Sequence, residues 1–102
     1  MIVEYIRYRI EPAREGEFLS AYETAAVSLR ASPHCLGYEL SRCSEAHESY
    51  TLRILWDSAE GHLQGFRRSE IFRAFFAAVQ PFIPGIEEMR HYEPTSLQWA
   101  RG

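Results

Sequence analysis

The chain contains no lysine and no asparagine, and all eleven basic residues are arginines. Both missing residues have A/T-rich codons, so a GC-rich bacterial genome is the expected source. Their absence excludes a lysine Schiff base and an active-site asparagine. The net charge is −3, with both signs interspersed and no basic stripe. Nucleic acid and anionic membrane are therefore poor partners. No apolar run approaches the roughly 20 residues of a membrane span. The start, Met1 to Arg7, lacks a basic segment followed by an apolar one, so no signal peptide is expected and the cytoplasm is the expected location.

Cysteine is scarce too. Cys35 and Cys43 fall on one predicted strand, where eight residues span roughly 26 Å, too far to bridge. They read as free thiols in a reducing compartment. A catalytic cysteine needs an electropositive neighbourhood, and only His34 and Arg42 are nearby in sequence. His34, His47, His62 and His91 show no H-x-H, H-E-x-x-H or C-x-x-C spacing, so no metal centre is expected. There is no glycine-rich phosphate loop for a flavin or nicotinamide, so no cofactor is expected.

What is present is a chain of 102 residues, 46% hydrophobic, which is one globular domain by length and composition. It is organised around Trp56 to Val79. Asp57 and Ser58 are N-cap residues, and Asp57 with Glu60 three residues later predicts a capping box. Ala59, Leu63 and Phe66 then predict one apolar stripe on a short helix. Gly65 weakens that helix, and Ser69 starts a second. There Ile71, Phe75 and Val79 form one ridge and Phe72 and Phe76 the adjacent one. Pro81 and Pro84 end it. Four phenylalanines in the eleven residues from Phe66 to Phe76 either fill a core or line a pocket.

Ile2–Ile10 alternates as a strand, with Ile6 and Ile10 on one side and Val3, Tyr5, Arg7 and Arg9 on the other. Phe18, Tyr22, Ala25 and Leu29 repeat at helical spacing and predict a helix over 13–31, stopped by Ser32-Pro33. Cys35–Ser44 and Glu48–Asp57 predict an antiparallel hairpin across a short polar connector. On the second of these strands Tyr50, Leu52, Ile54 and Trp56 alternate with Thr51, Arg53 and Leu55, so both faces are substantially apolar. Ile86–Glu93 predicts a fourth strand, and residues 95–102 a tail that is polar except for Leu97 and Trp99. The order β-α-β-β-α-β over residues 1–94 is ferredoxin-like: an α+β fold with a four-stranded antiparallel sheet and helices on one face. The other sheet face is too apolar to stay wet, which predicts a homodimer packed through those faces. Trp99 is a candidate to dock on the neighbour.

At V-E-Y-I-R-Y-R-I-E-P-A-R-E-G-E-F, C-L-G-Y-E-L-S-R, L-W-D-S-A-E-G-H and F-R-R-S-E-I-F-R-A-F-F the sequence resembles the antibiotic-biosynthesis monooxygenase family of dimeric α+β barrels, including quinol-monooxygenase-like members. The resemblance covers roughly Ile2 to Pro94. It implies a pocket between sheet and helices in each subunit. Some members oxygenate phenolic or anthrone-like aromatics with O2 and no cofactor, others break down haem, and many have no assigned activity. Haem-degrading members use an asparagine on the first strand and an axial histidine on the last helix. This chain has neither, since its last helix presents Phe72, Phe75 and Phe76.

What the resemblance leaves is an aromatic pocket with a few titratable groups. Cofactor-free oxygenation needs an electron-rich phenol or quinol, an apolar site, a base and a partner for the anion. His62, on the border of the apolar stripe, is the candidate base, or else a surface histidine beside Glu60. Arg7 or Arg53 could hold an anionic oxygen, or pair with Glu4, Glu39 or Glu48 across the sheet. Tyr5 and Tyr92 could donate to a quinone oxygen, or serve as amphipathic strand residues. Trp56, Phe66, Phe72 and Phe76 could enclose a flat ring, or be core. The expected function is thus a cofactor-independent monooxygenase of a small phenolic or quinol-type aromatic. The alternatives are a barrel that binds a small hydrophobic ligand without turnover and an accessory dimer.

Overall fold

In a computed structural model describing residues 1–102, alternating and helical segments follow one another as the hydrophobic patterns require. Strand β1 (Ile2–Arg9) leads through a 3-10 turn at Pro12–Arg14 into helix α1 (Glu15–Ala31). Strands β2 (Cys35–Arg42) and β3 (Ser49–Trp56) form the hairpin, a π-helical segment occupies Gly61–Phe66, helix α2 spans Glu70–Val79, and a 3-10 turn at Gln80–Gly85 leads to β4 (Ile86–Tyr92). The sheet order is β2-β3-β1-β4 with every pair antiparallel. This is the ferredoxin-like α+β fold, with α1 and α2 packed on one face of the sheet. No helix is long and apolar enough to cross a membrane.

The core lies between the helices and the inward residues of β1 and β3. Phe18 of α1 is fully buried, with the rings of Tyr8, Tyr22, Tyr50 and Phe82 at 5.0 to 5.3 Å between centroids. These tilted and edge-on contacts suit the ring quadrupoles. The Tyr8 and Tyr22 hydroxyls, buried among the rings, hydrogen-bond to each other. The inward groups of β3 are the buried Tyr50, Leu52, Ile54 and Trp56, as the alternation requires.

The connection after β3 departs from the sequence reading. Of the two expected cap residues Ser58 is the one that caps, its Oγ accepting from the Gly61 N–H at 2.9 Å, and the Asp57–Glu60 capping box does not form. Asp57 instead faces His34, 3.0 Å from its Nδ1. The following turn is π-helical, and the Arg67 N–H reaches the His62 carbonyl, five residues back, at 3.0 Å. The wider turn shifts the apolar face by one residue. Leu63, expected on the stripe, is 49% exposed, while His62 is 2% exposed. Ser69 caps α2 as expected, its Oγ accepting from the Phe72 N–H at 3.2 Å.

Candidate functional site

Between the sheet and the segment from Gly61 to Ile86 lies an apolar cavity of about 240 Å³. Its walls include Ile6, Trp56, Phe66, Phe72, Phe75 and Phe76, with Met89 and Ile86 from β4. One end is polar and carries Glu4, His62 and Arg67. The π-helical turn brings His62 inward, and its ring stacks on the Trp56 indole at 4.4 Å between centroids and 27° between planes.

Glu4 reaches the same place from β1. It shares parity with Ile6 and Tyr8, so it points under the helices and is 2% exposed. The Trp56 Nε1–H donates to its Oε1 at 3.1 Å. Its neighbour on β4 in the strand register is His91, whose Nε2 lies 3.3 Å from Glu4 Oε2. His62 Nε2 is 3.6 Å from Glu4 Oε1, beyond hydrogen-bond reach. Both ring nitrogens of His62 are buried with no hydrogen-bond partner. Leaving a buried polar group unsatisfied costs about 1–3 kcal/mol, so this ring stands out in an otherwise well-paired core.

Burial sets the proton affinities here. Burial, assisted by the charges of His91 and Arg67, pushes His62 down to about 4, so the ring is neutral at neutral pH. Burial also raises the Glu4 carboxyl above its usual range, opposed by the hydrogen bond from Trp56 and the charges of His91 and Arg67.

Five of the nine residues singled out from the sequence line this cavity: Trp56, His62, Phe66, Phe72 and Phe76. The other four do not. Tyr5, Arg7, Arg53 and Tyr92 lie on the opposite, helix-free face, because strand alternation sends them away from Glu4, Ile6 and Ile54. Arg7 sits 3.9 and 3.8 Å from the carboxylates of Glu87 and Glu88. Arg53 stands opposite Tyr5 in the register, and the Tyr5 and Tyr92 rings meet edge-on at 5.4 Å. These four are thus not brought together with His62, and Arg67 is the arginine at the cavity.

Glu4 and His91 were missed, for different reasons. The parity of Ile6 and Ile10 already turned Glu4 inward, so that signal was present. His91 depends on an irregularity: Arg7 pairs with Glu88 but Tyr8 with Ile86, leaving Glu87 as an extra residue in β4. The bulge resets which residues of β4 face the helices, and no short-range pattern announces it. The histidines scattered in the chain therefore include two that meet in space, with ring centroids 5.0 Å apart.

Residues 1–78 match the antibiotic biosynthesis monooxygenase family. The chain belongs to that family. The matched stretch supplies Glu4, Trp56, His62 and every cavity phenylalanine, whereas His91 lies beyond it. Among relatives, the uncharacterized protein YczJ of Bacillus subtilis (strain 168) is 27% identical over 93 residues, covering 91% of this chain and 98% of that protein. A Bordetella bronchiseptica structure named for the same family is 26% identical with a TM-score of 0.76, covering 92% of this chain and 96% of the other. A Caulobacter crescentus structure, also named for the family, superposes with a TM-score of 0.78 at 23% identity over 93% of this chain and 90% of its own, a likeness of fold.

Proposed function

We propose that this family member is a monooxygenase that oxidises a small phenol or quinol with O2 and no cofactor. The observation that carries the reading is the aromatic cavity with one polar end, where a buried neutral histidine has no hydrogen-bond partner. At about 240 Å³ it exceeds the ~150 Å³ that holds a benzene, so a one- or two-ring aromatic fits. The ring lies among Phe66, Phe72, Phe75 and Phe76 with its hydroxyl toward His62. The Glu4 carboxyl, 3.6 Å from His62 Nε2, favours the proton on that nitrogen through its charge rather than through a hydrogen bond, which leaves Nδ1 as the proton acceptor. Arg67 holds the phenolate, a role the strand alternation takes from Arg7 and Arg53. The electron-rich anion then reduces O2. For a quinol, one oxygen atom enters the ring, the other leaves as water, and the product is a hydroxyquinone.

The helix-free sheet face supports a homodimer. It carries Tyr5, Leu55 and Tyr92 beside a tail whose Leu97 and Trp99 are 92% and 75% exposed. In this arrangement two copies pack face to face and Trp99 docks on the neighbour. Light scattering on purified protein is expected to give twice the chain mass of 11.9 kDa.

Oxygen uptake tests the chemistry. Because His62 is buried, glutamine is a better probe than alanine, which leaves a hole beside Trp56. His62→Gln should lower quinol-dependent O2 consumption by about 10²–10⁴-fold. Unchanged turnover in that variant removes His62 from the mechanism. If no phenol or quinol of a broad panel is consumed but one binds, the protein is a ligand-binding barrel instead.

A further inference from the structure

We propose that Glu4, His62 and His91 form a binding site for a divalent first-row transition-metal ion, at the polar end of the cavity. One carboxylate and two imidazoles offer ligand atoms that all lie within 4.8 Å of one another. Ligands bonded tetrahedrally to one ion at ~2.0–2.2 Å sit roughly 3.3–3.6 Å apart. Glu4 Oε2 is 3.3 Å from His91 Nε2 and Glu4 Oε1 is 3.6 Å from His62 Nε2, so each carboxylate oxygen faces one ring. Small side-chain rotations close the rest, and half-exposed His91 can make the larger movement. Its strand is an edge of the sheet, which gives an ion a way in from solvent.

The independent observation is the state of His62. It is 2% exposed, and neither ring nitrogen has a partner. An ion at Nε2 removes one of those deficits. The Trp56 indole N–H on Glu4 Oε1 is the kind of outer hydrogen bond that fixes a ligating carboxylate. Two histidines and one carboxylate beside an open cavity suit Fe(II), Co(II) or Zn(II). Arg67, whose charge acts on both His62 and Glu4, opposes an ion there, and the Glu4 carboxylate offsets that opposition.

The proposal goes beyond the oxygenase reading and depends on none of it. The two uses of His62 require opposite tautomers. A bound ion takes the Nε2 lone pair and forces the proton onto Nδ1, where a phenolic proton is otherwise accepted. In the loaded chain His62 therefore cannot be the group that takes a phenolic proton.

The test is titration of chelator-treated protein with Co(II), followed by visible absorption and calorimetry, with circular dichroism confirming the fold of each sample. One Co(II) per chain with d–d bands is expected. His91→Gln and Glu4→Gln should each weaken binding by more than the about 10–100-fold typical of losing an outer-shell partner. His47→Gln, an exposed histidine of the β2–β3 connector outside the cluster, should bind as the wild type does. Should Glu4→Gln misfold, His91→Gln decides, since its side chain is 39% exposed and little packing is lost. Folded wild type that takes up no Co(II), or binding undiminished in His91→Gln, overturns the site. Oxygen uptake is not the readout, so failure here leaves the monooxygenase reading standing, and the reverse.

Discussion

The π-helical turn that carries His62 rests on a bay made of two glycines, and Gly65→Ala should expose that dependence. A Cβ at Gly65 collides with the His34 ring, and one at Gly61 meets His34 Nδ1 at 2.7 Å as well as Asp57 Oδ1. His34 thus sits against both glycines, held by Asp57 at 3.0 Å. Two effects compete in Gly65→Ala. Alanine gains about 1 kcal/mol over glycine in a helix interior. Overpacking a seated ring costs about 1–3 kcal/mol. The ring cannot escape cheaply, because leaving the bay also breaks its pair with Asp57. The net expectation is a loss of up to about 2 kcal/mol, with a fall of about 4–8 °C in Tm for each kcal/mol in a domain of this size. In a His34→Ala background the collision is gone, and the same substitution should stabilise by up to about 1 kcal/mol. Urea unfolding of the four proteins at one protein concentration gives a double-mutant cycle with an expected coupling of about 1–3 kcal/mol. A coupling below about 0.5 kcal/mol refutes the seating of His34 on the glycines.

Three further outcomes are expected. Gly16→Ala, on the exposed side of α1 with open space around its Cβ position, should stabilise by about 0.5–1 kcal/mol in the same urea assay. Phe18→Ala, which removes the ring at the centre of the aromatic core, should cost about 3–5 kcal/mol, a large part of the 5–15 typical of a domain. The Glu15 carboxyl is held below its usual range by hydrogen bonds from Tyr50 at 2.7 Å and Arg42 at 2.6 Å. A depressed carboxylate contributes stability above its unfolded pKa and loses it as pH falls through the folded one. Glu15→Gln should therefore flatten the acid side of the stability profile, and an unchanged acid limb would count against the pairing.

Much of this molecule was legible in the chain. Period-2 alternation in β1 and β3, the 4-3-4 spacing of Phe18, Tyr22, Ala25 and Leu29, and the Ser69 cap gave the elements. Their order gave the ferredoxin-like topology, because short connections between such elements leave few arrangements. The aromatic half of the candidate site, Trp56, Phe66, Phe72 and Phe76, was legible too, since each lies on a strongly apolar stripe or strand. The same alternation, applied to Glu4, also turned that carboxylate toward the helices.

Tertiary structure alone decided the two histidines of the polar end. His62 faces inward because one wide turn advances the helix by five residues where four were expected, and propensity does not encode that choice. His91 reaches Glu4 because a single extra residue at Glu87 reverses the parity of β4. Arg7, Arg53 and Tyr5 lie on the other sheet face because each neighbours in sequence a residue that the core claims, and Tyr92 lies there because it follows His91. Local pattern fixes which stretches become helix or strand, through burial repeated over many residues. A turn or bulge one residue long leaves almost no trace in that repeat, yet it rotates every side chain beyond it, and the cluster of Glu4, His62 and His91 rests on two such steps.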